Sequence, residues 1–247
     1  MTYCVAMRLE TGMLFASDSR TNAGVDHVST FRKMQTFERE GERQLVLLSA
    51  GNLATTQSVV SLLRQRAKAE PDGHNLYTVA SMYDAACLVG ETLREIGQRD
   101  GPALSQSNID FGCSFLLGGQ IAGEHQRLFN LYPQGNFIEA TIDTPYFQIG
   151  EAKYGKPIID RVISYQTALP EAAKCALISF DSTMKSNLSV GLPIDMLLYR
   201  ADSLGAGLKR RVEEDDAYFQ QIRRGWGECL RAAFASLPTA DWGWDQG

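Results

Sequence analysis

The sequence contains no apolar run that approaches the ~20 residues a membrane-spanning helix needs. Its first residues also lack the basic segment and apolar core of a secretory signal. We therefore expect a cytoplasmic protein that has no membrane partner.

Cysteine and histidine are few and scattered. The five cysteines never form a C-x-x-C pair, and the three histidines lie far apart along the chain. This distribution is typical of buried free thiols in a reducing compartment, and it excludes a disulfide framework or a zinc-binding motif. We expect no metal, nucleotide or organic cofactor.

Basic residues are also fewer than acidic ones: the chain has 24 Lys and Arg, 29 Asp and Glu, and a net charge of -5. A nucleic-acid or anionic-membrane partner requires a basic surface, so neither is expected. Short basic clusters at 208–211 and 222–225 lie beside the acidic run at 213–216. This proximity favours solvated or intersubunit charges.

No linker rich in Pro, Gly or Ser divides the 247 residues, and no internal repeat stands out. We predict a single domain over residues 1–247, with a hydrophobic content of 44% that is sufficient for a real core. From about residue 205 we predict a helical extension whose tail carries Trp242 and Trp244. Tryptophan is enriched at interfaces, so we expect this extension to pack on a neighbouring subunit.

Hydrophobic periodicity predicts the order of the elements. Strands are predicted at 3–9, 13–18, 31–38, 44–51, 111–119, 127–133, 136–141, 145–150 and 193–200, with a shorter one after residue 205. Helices are predicted after residue 51, at 77–97, at about 152–165, from Pro170, and along the apolar stripe 219–237. Hairpin strands thus alternate with helix pairs. This order predicts an α+β fold, a four-layer αββα sandwich of two antiparallel sheets.

Thr2 directly follows the initiator Met1. A threonine hydroxyl is a weak nucleophile unless a base lies beside it, and the free α-amine of an N-terminal threonine can be that base. The opening residues are therefore either an ordinary first strand or an active site that removal of Met1 exposes.

Three short segments connect this threonine to a known family: FASDSRTNAG, FRKM and SAGN. With them, residues 2–200 resemble the N-terminal-nucleophile hydrolases, in particular the proteasome β-subunit and HslV group. The resemblance places Asp18 in the family's acidic position, Lys33 in its lysine position and Gly51 in its oxyanion-hole position. Each also has a structural interpretation, as a turn aspartate, an edge lysine and a turn glycine.

The chemistry of these residues fits acyl transfer. The Thr2 α-amine, with a pKa of ~8, is suited to act as a base at neutral pH. The Lys33 ammonium would lower the pKa of this amine and of the hydroxyl, and Asp18 would hold Lys33. The Gly51 N–H would receive the oxyanion.

Two positions depart from the proteasome pattern. Glu151 in IGEAKYG replaces a serine, and in SNLS Ser186 replaces an aspartate while Ser189 keeps the hydroxyl. Glu151 would either raise the pKa of the Thr2 amine or supply the carboxylate that Ser186 has lost. The sequence leaves both alternatives open.

The family layout also implies a substrate pocket. Its expected lining is small or neutral, so no charged specificity residue is indicated: Thr21, Phe31, Ser49 and Leu53. Asn22 would hydrogen-bond the backbone of an extended peptide.

The function expected from this resemblance is a threonine peptidase or amidohydrolase in a self-compartmentalised homo-oligomer, either a ring or a helical assembly, that acts on peptides or proteins. An amidohydrolase for a non-protein amide and a non-catalytic assembly subunit with capped Thr2 are the alternatives. By analogy with HslV an unfoldase partner is conceivable, but no residue identifies its docking site.

Overall fold

The computed structural model describes residues 2–22 and 28–242. Met1 and Trp244 lie outside these residues, as does the side chain of Asn22. The strands are β1 (Tyr3–Leu9), β2 (Gly12–Asp18), β3 (Arg20–Asn22), β4 (Val28–Thr30), β5 (Met34–Arg39), β6 (Arg43–Gly51), β7 (Cys113–Ile121), β8 (Arg127–Leu131), β9 (Phe137–Glu139), β10 (Tyr146–Gly150), β11 (Ile194–Arg200) and β12 (Leu208–Val212). The helices are α1 (Leu53–Ala69), α2 (Met82–Gln106), α3 (Lys156–Val162), α4 (Leu169–Ser186) and α5 (Ala217–Ser236).

Two five-stranded sheets form the centre of the fold. One has the order β10-β1-β2-β11-β12 and the other the order β5-β6-β7-β8-β9, and β3 and β4 form a separate ribbon. Neighbouring strands run antiparallel throughout. Tyr3 lies opposite Gly150 in the first sheet, and Gly51 lies opposite Cys113 in the second.

Three apolar clusters separate the layers. The cluster between the two sheets includes Cys4, Ala6, Met13, Phe15, Val46, Leu48, Leu116 and Leu128. The cluster between the second sheet and α1 and α2 includes Leu45, Leu47, Val59, Leu63, Leu93, Phe115 and Phe129. The cluster between the first sheet and α3 and α4 includes Tyr3, Val5, Met7, Ile159, Ala176 and Phe180. These layers confirm the predicted αββα sandwich.

Strand β1 is buried on both faces. Tyr3, Val5 and Met7 face the α3–α4 layer, whereas Cys4 and Ala6 face the other sheet. Burying a side chain of the size of Val or Met contributes ~1.5–3 kcal/mol to folding. The strand that follows Thr2 is therefore fixed by two apolar cores.

Helix α2 differs from its prediction at both ends. It begins at Met82, because the Ser81 hydroxyl accepts the N–H of Asp84 at 3.0 Å and caps the helix there. It continues to Gln106, well beyond the end of the predicted range 77–97. The apolar spacing extended over residues that precede the cap, and periodicity alone does not show where a cap lies.

Other boundaries also differ. Strand β5 begins at Met34 and not at residue 31, and α3 is shorter than predicted. The N–H of Phe31 donates to the carbonyl of Ser19 at 2.8 Å, so this segment is a connection that runs past β2. The β3–β4 ribbon was not predicted.

The described contacts anchor helix α5 at its start. Its cap is Asp216, which accepts the N–H of the buried Phe219 at 2.9 Å. One turn later, Arg223 Nε donates to the buried Asp181 of α4 at 2.8 Å. The later part of the stripe is exposed in this chain, at Leu230, Phe234 and Leu237, and so is Trp242. The predicted apolar stripe exists, but its second half lies on the surface.

The five cysteines are free, and Cys4, Cys113 and Cys175 are buried. Cys229 on α5 is exposed, so the expectation of buried thiols is wrong for this residue. Within the described residues, no helix is both long enough and apolar enough to cross a bilayer.

Candidate active site

Thr2 lies immediately before β1, where the end of β10 contacts its backbone. The Thr2 carbonyl oxygen accepts the N–H of Glu151 at 2.7 Å. Gly150 has a φ of +79°, and a Cβ at this position would lie 1.9 Å from the same oxygen. Only glycine permits so close an approach, so this contact holds the Thr2 backbone in place.

Asp18, at the end of β2, is a buried carboxylate on which other chain segments converge. Lys33 Nζ lies 2.6 Å from its Oδ1 and also donates to the carbonyl of Arg20 at 2.6 Å. Asp18 accepts the N–H of Tyr3 at 3.1 Å and that of Gly191 at 3.4 Å. The carboxylate therefore joins the start of β1 to the lysine and to the loop that precedes β11.

Burial raises the pKa of Asp18 above its ordinary value, and the Lys33 ammonium and the two backbone N–H donors oppose this rise. An ion removed from water costs roughly several kcal/mol unless it is paired and hydrogen-bonded. Because Tyr3 directly follows Thr2, the same hydrogen bonds that stabilise the carboxylate also fix the ammonium relative to Thr2.

A cleft of about 700 Å³ opens beside Thr2. Its wall contains six residues that the sequence analysis proposed for the site: Thr2, Thr21, Lys33, Ser49, Gly51 and Leu53. The structure therefore brings the proposed nucleophile, lysine and glycine to one cavity.

Other proposed residues lie away from the described wall of this cleft. Asp18 lies behind Lys33, and Phe31 is exposed outside the lining. Glu151 and Ser189 belong to a neighbouring cluster. Of the four pocket residues inferred from the family, Thr21, Ser49 and Leu53 thus line the cleft and Phe31 does not.

Gly51 ends β6 directly before the α1 cap, Asn52. Its φ is +107°, and a Cβ at this position would lie 2.4 Å from the carbonyl oxygen of Gly112. A side chain is therefore excluded by backbone conformation and by lack of space. Because position 51 must be glycine, its main chain faces the cleft without a side chain in front of it.

The cluster next to the cleft is built around Glu151, which is 7% exposed. Its carboxylate accepts Asn187 Nδ2 at 2.7 Å and lies 3.4 Å from Lys153 Nζ. The oxygen of Asn187 in turn accepts the N–H of Ser189 at 2.9 Å. The Glu151 carboxylate thus contacts Asn187, the neighbour of Ser186, which replaces the aspartate of the proteasome pattern.

Cys4 is a thiol near this site, and its Sγ contacts the carbonyl of Ser49 at 3.6 Å. Burial raises the pKa of Cys4 far above its ordinary value. The thiol therefore stays protonated and is a poor competitor for the hydroxyl as a nucleophile.

Several residues at the site were not identified from the sequence. Asn187 and Gly191 make the contacts described above, and Arg32 and Arg64 also line the cleft. Asn187 was visible within the SNLS segment, but its link to Glu151 spans 36 positions. Arg64 follows Leu53 at helical spacing along α1, and this periodicity was the only available signal.

Gly51→Ala is expected to destabilise the protein more than Gly41→Ala. Both glycines have positive φ, and this conformation costs a non-glycine residue ~1–2 kcal/mol. Among the described residues nothing lies within 4 Å of a Cβ at Gly41, whereas the Gly51 Cβ collides with backbone. Urea unfolding followed by circular dichroism measures the difference. Equal losses of stability would contradict the steric argument.

Asp18 and Lys33 are expected to be strongly coupled. Asp18→Asn leaves a buried ammonium without its carboxylate and should lower the free energy of unfolding by ~3–5 kcal/mol. The double variant Asp18→Asn/Lys33→Met should lose less than the sum of the two single variants, which denaturant unfolding of all four proteins measures. Additive losses would show that the pair does not act as a unit.

Comparison with family models finds no match, and neither does comparison with curated proteins. Solved structures are similar over nearly the whole chain. Anbu (ancestral beta-subunit) from Yersinia bercovieri is 62% identical, with a TM-score of 0.91 and coverage of 98% of this chain and 100% of that chain. The helical assembly of the Anbu complex from Pseudomonas aeruginosa is 55% identical, with a TM-score of 0.93 and coverage of 98% and 99%.

A third structure, an Anbu (Gly-1) mutant from Hyphomicrobium sp. strain MC1, is 50% identical, with a TM-score of 0.91 and coverage of 98% and 100%. The segments TYCVAMRL, SDSRTNAGVDH, TFRKM and STMKSNLSVGLPIDMLLY carry the corresponding resemblance in the sequence. With identities of this size over the full fold, the chain belongs to the Anbu family of ancestral beta-subunit proteins.

Proposed function

We propose that this protein is a threonine-type N-terminal-nucleophile hydrolase that cleaves peptide bonds through Thr2 once Met1 is removed. The observation that carries the proposal is the shared cleft, in which Thr2 lies with Lys33 and Gly51. The ion pair between Lys33 and the buried Asp18 also supports the proposal. Because Asp18 accepts the N–H of Tyr3 as well, the pair holds the Lys33 ammonium next to Thr2.

The reaction would proceed through an ester on Thr2. The α-amine accepts the hydroxyl proton while Oγ attacks the amide carbon, and the Gly51 N–H stabilises the oxyanion. The C–N bond then breaks, the α-amine passes its proton to the leaving amine, and the acyl group remains on Oγ. Water deprotonated by the same α-amine attacks the ester, and the carboxylic acid leaves as Oγ recovers its proton.

Lys33 and Glu151 act as positioning residues in this proposal. The Lys33 ammonium lowers the pKa of the Thr2 amine and hydroxyl by like-charge repulsion and hydrogen-bond donation. Glu151 supplies the carboxylate that Ser186 does not, because it binds Asn187 and thereby orders the segment that contains Ser189.

A non-catalytic subunit is the alternative. The cost of burying Asp18 and Lys33 beside an open cleft argues against it, since an inert scaffold has no evident need for that pair. A non-protein amide would be opened by the same amine and hydroxyl, so this alternative differs in substrate and not in mechanism.

We further propose that the chain works as a homo-oligomer, and that α5 packs on a second copy. Exposed apolar residues continue along this helix after its anchored first turns, with Phe234 80% exposed and Leu237 66% exposed. Contiguous exposed apolar residues are typical of protein interfaces. The relative from Pseudomonas aeruginosa was determined as a helical assembly, which supports self-association.

Thr2 reactivity is tested by intact mass spectrometry before and after treatment with a peptide epoxyketone. This reagent needs both a hydroxyl and a free α-amine, so the expected result is loss of Met1 and addition of one inhibitor molecule. Thr2→Ser should retain labelling, because it keeps both groups, and Thr2→Ala should lose it while keeping the oligomeric mass.

A retained Met1 with no adduct would overturn the peptidase proposal for the purified protein and favour the non-catalytic subunit. If labelling occurs, digestion of unfolded proteins and of a peptide library separates the substrates. Labelling with no cleaved peptide would favour the non-protein amide.

Phe234→Ser is expected to lower the molar mass measured by light scattering after size exclusion, because it removes apolar area from the proposed contact. Ile142→Ser is the control, since it makes the same kind of change at another exposed apolar residue. An unchanged mass in Phe234→Ser would contradict the role of α5 in assembly.

A further inference from the structure

One face of α1 lines the cleft over much of the length of the helix. Leu53, Gln57, Val60 and Arg64 recur at the spacing of a single helix face. Among the described lining residues the charged ones are Arg32, Lys33 and Arg64, and none is acidic. The wall of the cleft is therefore cationic, although the chain carries a net charge of -5.

Two contacts position Arg64. Its Nη2 donates to Gln35 Oε1 at 2.6 Å, and its guanidinium lies 5.9 Å from the centroid of the Phe37 ring. Gln35 also lines the cleft and is two positions from Lys33, at most ~7 Å along the chain. The guanidinium is thus held at the wall of the cleft that Lys33 also lines, and less side-chain entropy is lost when a ligand binds it.

Arg64 and Arg32 differ from Arg66 and Arg127 in their pairing. Arg66, two residues along α1, forms an ion pair with Glu95, and Arg127 pairs with Glu139. In residues 2–22 and 28–242, by contrast, no carboxylate pairs with Arg64 or Arg32. Lys33 is already neutralised by Asp18. Among the residues that the structure describes, the positive charge of the cleft that no carboxylate neutralises therefore belongs to the two arginines.

We propose that the cleft selects substrates that carry a carboxylate next to the amide bond attacked by Thr2, with Arg64 as the specificity-determining residue and Arg32 adding to the positive potential. This inference rests on the proposed function. A guanidinium offers parallel N–H donors that match the two oxygens of a carboxylate. The preferred substrate is then a peptide with an acidic side chain on the acyl side, although the pocket residues inferred from the family layout indicated no charged specificity residue.

The test measures binding in the Thr2→Ala background, where cleavage cannot interfere. Two fluorescently labelled peptides, Ala-Ala-Ala-Glu-amide and Ala-Ala-Ala-Gln-amide, differ only in one charge. Fluorescence anisotropy should show about fivefold tighter binding of the glutamate peptide, the size of one partly exposed ion pair. The preference should shrink as the salt concentration rises.

Arg64→Gln should remove this preference. Lys68→Gln is the matched control, because Lys68 is exposed one turn further along α1, loses the same charge and is not part of the cleft wall. Equal binding of the two peptides, a preference that survives Arg64→Gln, or no binding of either peptide would overturn the inference.

Epoxyketone labelling of the unmodified protein reports separately on the nucleophile. A glutamate preference without labelling would leave the recognition of anionic groups in place and remove the peptidase. Labelling without a glutamate preference would keep the proposed nucleophile and remove the recognition of anionic groups.

Discussion

The ion pair between Lys33 and the buried Asp18 is the interaction on which the site depends. A carboxylate and an ammonium inside a protein must be satisfied by short polar contacts, and here those contacts come from Arg20, Tyr3 and Gly191. The pair therefore ties β1, β2, the segment before β5 and the loop before β11 together. A change that moves one of these segments changes the surroundings of Thr2 as well.

The sandwich supplies the rigidity that this pair requires. Because β1 is buried on both faces, its first residues have little freedom to move away from Asp18. On the other side, Gly150 and Glu151 contact the Thr2 carbonyl. The nucleophile proposed for this protein thus stands at the end of a strand held by two cores, with an open cleft in front of it.

The two departures from the proteasome pattern, Glu151 and Ser186, lie close together in the fold. Ser186 does not provide a carboxylate, but Glu151 is brought to the same loop through Asn187. The cleft itself differs from the neutral pocket that the sequence suggested, because α1 carries Arg64 along the wall, where Gln35 holds it. The family fold fixes where the cleft lies, and residues from distant segments determine which groups line it.

Much of the fold follows from the sequence alone. The spacing of α1 and α4 comes from burial of one face of each helix, and the apolar residues of β1 come from burial of both faces of the strand. These elements can therefore be predicted from the local sequence, as can Asp18, Lys33 and Gly51 from their family motifs. What the sequence could not determine are contacts between distant positions. Glu151 with Asn187, Gly191 with Asp18, and Arg64 with Gln35 each join different elements, and local periodicity contains no information on which side chains meet. Helix ends such as Ser81 depend on one capping hydrogen bond, and the exposure of Phe234 depends on which layers cover α5. These features are decided by tertiary packing.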